Sequence, residues 1–225
     1  MNYYEVINLL RSMANPTNVA GMARFGITGK EVLGIQIYKL RDIAKRLGKS
    51  HELAKLLWAS GIHEARMLAV FIEEVSKVTP SQMNKWAREF ESWDDTDQAC
   101  TSLFDKTKHA WFKVRDWALS PKLFVKRAAF SLIAGLAVHD DKASDKDFIK
   151  LLPLIKRAST DDRNYVRKAV NWALRNIGKR NKNLNKEVIK FCNSLIKSKH
   201  KSAHWIASDA LRELTSNKIQ ARLKS

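Results

Sequence analysis

The segment Glu91-Ser92-Trp93-Asp94-Asp95-Thr96-Asp97-Gln98-Ala99-Cys100 places three carboxylates within four residues of a chain whose net charge is +18. Ser92 followed three residues later by Asp95 has the form of a capping box, and Asp94 falls in the first helical turn, where the dipole favours negative charge. Asp97 lies beyond that turn. At about 100° per residue, Trp93, Asp97, Cys100 and Phe104 share one helical face, so this acid is in line with an indole and beside apolar residues. Two readings stay open for it: an acid that pairs with an arginine or caps a neighbouring helix, and an acid placed to act on a bound substrate.

Trp172 lies about 110° from the centre of its helix's apolar stripe and belongs at the edge of a core. Beside Arg167, Lys168 and Arg175, it either packs on an adjacent helix or touches a sugar or base. Arg127 lies almost opposite the apolar stripe of its own helix, which predicts that it faces solvent or a ligand. His200 and His204 have the i, i+4 spacing of a metal pair but no evident third ligand, so no metal is expected. Cys100 and Cys192 read as small hydrophobes without metal or disulfide spacing. No P-loop, dinucleotide fingerprint or Ser/His/Asp order is present.

The elements that must position these residues are helical. Eight glycines and four prolines in 225 residues fall well below the usual share of about 12%, too few for the turns of sandwiches or barrels. A weak repeat joins Phe124-Val-Lys-Arg-Ala-Ala-Phe, Tyr165-Val-Arg-Lys-Ala-Val-Asn and Trp205-Ile-Ala-Ser-Asp-Ala-Leu at offsets of 41 and 40 residues, with an earlier copy at Glu64-Ala-Arg-Met-Leu-Ala-Val. The apolar stripes Val125, Ala128, Ala129, Leu132, Ile133, Leu136 and Val166, Ala169, Val170, Ala173, Leu174, Ile177 have helical spacing. Breakers and N-caps fall between such stripes at Asn15-Pro16, Thr79-Pro80-Ser81, Ser120-Pro121, Asp140-Asp141 and Thr160-Asp161-Asp162. A period near 40 built from helix pairs predicts an all-α, HEAT-like repeat solenoid, an α-α superhelix forming a single domain over residues 1–225 with a basic concave face.

The charge is lopsided. Residues 1–105 hold 13 Lys/Arg against 13 Asp/Glu, whereas residues 106–225 hold 28 against 10. Because these cations are spread among apolar residues, they form a folded basic face rather than a tail, and a polyanion is the expected partner. No run of about 18 apolar residues suggests a membrane span. The opening residues lack the layout of a signal peptide, and cytoplasmic residence on chromosomal DNA is the expectation.

The combination of a HEAT-like array with Trp93-Asp94-x-x-Asp97, Lys126-Arg127-Ala128 and Trp172-Ala-Leu-Arg175 resembles the AlkD type of DNA alkylation repair glycosylase. The likeness starts around Met22-Ala23-Arg24, passes through Leu33-Gly34-Ile35 and Leu57-Trp58-Ala59-Ser60-Gly61-Ile62-His63-Glu64-Ala65-Arg66, and reaches the Trp172 helix. Family members often carry two adjacent tryptophans where this chain has Ser92-Trp93. The resemblance implies a monofunctional glycosylase that excises N3- and N7-alkylated purines from duplex DNA in base excision repair, with no cofactor and as a monomer. It assigns catalytic roles to Asp97, Trp93 and Trp172 and a phosphate contact to Arg127. Lys126, Arg167, Lys168 and Arg175 complete the expected DNA-binding set. It also implies that the base is not held in a tight pocket, and no deep-cavity motif is readable here. The alternative is a non-catalytic HEAT-like module that binds nucleic acid through the same basic surface.

Overall fold

The computed structural model of the chain describes residues 1–223 and is an all-α, HEAT-like repeat fold. Among these residues the one β feature is an isolated bridge between Glu31 and Ile62, and no helix is long and apolar enough to cross a membrane. The chain divides into two compact units, Met1–His109 and Ala110–Ser225.

The first unit contains α1 (Tyr3–Ser12), α2 (Pro16–Arg24), α3 (Ile37–Leu47), α4 (His51–Ala59), α5 (His63–Ile72), α6 (Pro80–Arg88) and α7 (Trp93–Ser102), with short 3₁₀ turns at Val75–Lys77 and Phe104–Lys106. The breakers read from the sequence act as starts: Asn15 and Thr79 accept backbone N–H bonds as N-caps, each followed by proline at the first helical position. Helix α5 is buried on nearly every side because α3, α4 and α7 all pack on it. Beside it, Trp58 and Trp86 stack with ring centroids 4.0 Å apart, and the Trp58 indole N–H donates to Glu89 at 2.7 Å. That bond satisfies the one polar atom the buried ring brings inside.

The second unit contains α8 (Ala110–Ala118), α9 (Leu123–His139), α10 (Asp145–Ile149), α11 (Leu152–Ala158), α12 (Asn164–Gly178), α13 (Lys182–Leu195), α14 (Lys201–Leu214) and α15 (Asn217–Gln220). The sequence repeats fall on α5, α9, α12 and α14. Helix α9 is buried around most of its circumference because α8 packs on it and α12 does too. Helix α12 is amphipathic, and its polar residues tie neighbouring repeats together. Asn176 donates to the Ala134 carbonyl at 3.1 Å, and Asn171 to the Ile206 carbonyl at 3.2 Å. Arg180 caps the end of α9, donating to the carbonyls of Ala137, Asp140 and Ala143. A cation at that end also complements the helix dipole.

Candidate functional site

Helix α7 starts at Trp93, and its first turn is held by interlocking bonds. Ser92 and Asp95 form the capping box, with Asp95 accepting the Ser92 N–H at 3.2 Å and the Glu91 N–H at 3.0 Å. Burial still dominates at Asp95 and pushes its carboxyl up to about 6 in spite of those donors. Asp94 accepts from the Ser92 hydroxyl at 2.5 Å and pairs with His63 Nε2 at 3.0 Å. Burial works against charge on both members of that pair, but their mutual attraction outweighs it. His63 is therefore raised and Asp94 lowered from their ordinary values. The Trp93 indole N–H donates to the Phe25 carbonyl at 2.9 Å, which fixes the plane of the ring.

Asp97 follows Trp93 by one turn on the same face, half-buried, as the helical spacing predicts. Farther along α7 and its continuation, Cys100 and Phe104 are fully buried. The other two acids of this turn have separate roles: Asp95 caps the helix, and Asp94 pairs with histidine.

Beside Trp93 the first unit opens into a cleft of about 550 Å³, mostly apolar, which the sequence reading did not anticipate. Its walls come from α2, the segment 34–37, α3, the start of α5 and the start of α7. Glu64, 1% exposed, organises one wall by accepting the backbone N–H groups of Leu33 at 2.8 Å, Gly34 at 2.7 Å and Ile35 at 3.3 Å. Gly34 has φ +77°, and a Cβ there would stand 2.4 Å from the Asn15 carbonyl oxygen. Only glycine fits that turn. In the sequence, the dipeptide His63-Glu64 at a helix start was the sole sign of this arrangement, because its partners lie about 30 residues away on either side.

In the second unit, Arg127 differs from expectation. It is 6% exposed, and its guanidinium donates to the Tyr165 carbonyl at 2.7 Å. The helical-wheel argument assumes a solvent side, and α9, packed by α8 and α12, has none there. Lys126 pairs with Asp161 at 3.1 Å, and Asp161 also binds Arg163, which with Lys126 holds its carboxyl far below the usual range. Arg175 pairs with Glu213 and reaches Asp209 at 4.0 Å. Arg167 stacks over the Trp205 ring at 4.7 Å and donates to Asn164 at 3.2 Å. Lys168 is exposed, and Trp172 is half-buried at the margin of α12, as its angle predicts. The Arg167–Trp205 stack went unread because a lone aromatic in the last repeat gives no sign of what covers it. His204 Nδ1 lies 3.0 Å from the Ile196 carbonyl, and the described residues contain no group of three or more metal-ligating side chains.

A family model described as DNA alkylation repair enzyme matches residues 6–214. No curated protein matches. Among solved structures, the chain is similar to one described as a new family of proteins related to the HEAT-like repeat DNA glycosylases with affinity for branched DNA structures. The TM-score is 0.78 at 17% identity, covering 95% of each chain. An engineered protein gives a TM-score of 0.40 at 16% identity, covering 81% of this chain and 93% of its own, a likeness too weak to carry argument.

Proposed function

We propose, from the premise that the chain belongs to the DNA alkylation repair enzyme family, that it is a DNA glycosylase hydrolysing the N-glycosidic bond of N3- and N7-alkylated purines. The observation that carries this reading is the placement of Asp97 one turn from Trp93, on a helix whose first turn is locked by Ser92, Asp95, His63 and the Phe25 carbonyl. A purine alkylated at N3 or N7 is already a cation and leaves without a general acid. As the C1′–N bond breaks, its electron pair neutralises the departing base and positive charge grows on the deoxyribose. Asp97 stabilises that charge, orients the attacking water and receives the proton the water loses. Trp93 presents its π face to the same cation. Its ring is already oriented, so little reorganisation accompanies the step. Trp172 supplies a second aromatic contact to the sugar by family resemblance. Arg127, Lys126, Arg167, Lys168 and Arg175 are the proposed backbone-binding residues.

The 17%-identical neighbour favours a second reading, a module that binds structured DNA without cleaving it. One experiment separates the two. Release of 7-methylguanine and 3-methyladenine from methylated duplex DNA is compared for the wild-type chain and Asp97→Asn at equal DNA occupancy. Release by wild type, lost in the variant with binding retained, supports the glycosylase. Binding by both with release by neither supports the module.

A further inference from the structure

We infer that the first unit carries a DNA contact of its own, a lysine-lined groove at the C-terminal ends of α5 and α7 that seats the phosphate backbone. The inference rests on DNA binding, which both functional readings share, and not on base release.

Two adjoining clefts of about 490 and 650 Å³ form the groove, and Lys49 and Lys106 line both. Arg41 and Lys45 of α3 belong to the first cleft, and Lys108, His109 and Ser76 to the second. Five of the lining residues are thus Lys or Arg, and Glu74 is the one acid among them. The unit around them is nearly neutral, with 15 Lys/Arg against 13 Asp/Glu in residues 1–109. Charge counted along the sequence assigns the polyanion to the second half and passes over this groove, because its cations are gathered from α3, the turn before α4 and the segment after α7.

Part of the cluster has a structural use. Lys49 Nζ donates to the carbonyls of Phe71 at 2.8 Å and Glu73 at 3.1 Å, and Lys106 Nζ donates to that of Ser102 at 2.8 Å. These carbonyls end α5 and α7, where a cation offsets the helix dipole. The bonds fix both ammonium groups and leave each with at least one N–H to give. Arg41 lies over the Phe71 ring at 5.6 Å, a contact that occupies the face of its guanidinium and not the N–H donors. Burial, and then the nearby Lys106 charge, hold the Lys49 amine below its ordinary value against the pull of Glu73. A phosphate between the two lysines relieves that repulsion.

The neighbouring acids are engaged elsewhere. Glu73 is buried against His51 at 2.7 Å and Gln82 at 2.6 Å, and Glu74 holds Lys77 at 3.1 Å and the His51 N–H at 3.0 Å. Lys45 and Asp42 form an exposed pair at 3.7 Å, too loose to cancel the lysine.

The lining also discriminates between polyanions. Protein interfaces are depleted in lysine and anchored by aromatic side chains, whereas backbone contacts to DNA use Lys, Arg and Ser, as found here. His63 and Trp93 stand at the N-terminal ends of the same two helices, each of ten residues and so about 15 Å long. One phosphate cannot serve both ends, so the groove is a contact separate from any at Trp93.

The test changes Lys45 and Lys108 together, because both are exposed and neither holds a helix end. The control is Lys55→Gln with Lys85→Gln, the same change of charge on exposed lysines of the same unit outside both clefts. Affinity for a fluorescein-labelled duplex is measured between about 50 and 200 mM salt. Lys45→Gln with Lys108→Gln should weaken binding about tenfold or more and lower the slope of log affinity against log salt by about 2. The control should change the slope by less than about 0.5, and both variants should melt within about 2 °C of wild type. An unchanged slope in the groove variant, or equal losses in the two variants, overturns the groove and leaves both functional readings standing. A wild-type chain that binds no DNA overturns the groove and those readings together.

Discussion

His63 Nε2 stands 3.0 Å from Asp94 Oδ2, joining the first turn of α5 to the first turn of α7 across 31 residues of sequence. The bond does for α7 what a crossbrace does for a post. Trp93 and Asp97 flank Asp94 on that helix, so their position depends on a histidine that would otherwise read as a helix-boundary residue.

This pair makes stability depend on pH. His63 is raised above its ordinary 6.5, so its contribution is present below that value and is lost as pH rises through the folded-state value. Asp94 is lowered below its ordinary 3.8, so its contribution is present above that value and is lost as pH falls through the folded-state one. Asp95, raised to about 6, is destabilising once ionised, and this loss develops between 3.8 and about 6. Above about pH 6 the histidine effect alone remains. The melting temperature should decline from pH 6 to pH 8, and His63→Gln should flatten that decline. Parallel profiles for the two proteins would refute the coupling.

Gly34→Ala tests the cleft wall. The left-handed backbone at φ +77° and the 2.4 Å approach to the Asn15 carbonyl give an added methyl no room. A loss of about 2–4 kcal/mol is expected in urea unfolding, combining backbone strain with the clash. A change under about 0.5 kcal/mol would mean that the turn relaxes freely.

Trp93→Phe removes the bond to the Phe25 carbonyl and reduces the π surface while leaving an aromatic ring. Base release should fall about tenfold or more, and stability by about 1 kcal/mol. Single-turnover kinetics on methylated duplex would show it, and full activity in the variant would remove the indole from the mechanism.

Lysines of the basic half should differ in their effect on DNA affinity. Lys168 is exposed, whereas Lys126 is already paired with Asp161 at 3.1 Å. Lys168→Ala should lower the slope of log affinity against log salt by about 1, the signature of one lost phosphate contact. Lys126→Ala should lower it less, because its charge is largely balanced in the free protein. Equal slopes would show that DNA displaces Asp161.

Much of this molecule was readable from local pattern. The stripe from Val125 to Leu136 and its copy from Val166 to Ile177 place α9 and α12, since burying one face of a helix demands that spacing. Asn15-Pro16, Thr79-Pro80 and the Ser92/Asp95 box mark helix starts because capping is a contact over three residues. The shared face of Trp93 and Asp97 follows from helix geometry alone.

Other features depend on partners distant in the chain. Arg127 is buried because α12 covers the side of α9 that a lone helix would turn to water. Glu64 holds the backbone of residues 33–35, and His63 holds Asp94, through bonds that local spacing does not specify. The cleft itself is space left between α2, α3, α5 and α7, so it belongs to no single segment. Periodicity and capping act over one or two turns and are written in neighbouring residues. Burial, long-range pairing and cavity shape arise only when helices meet, because each is a property of the packing between them.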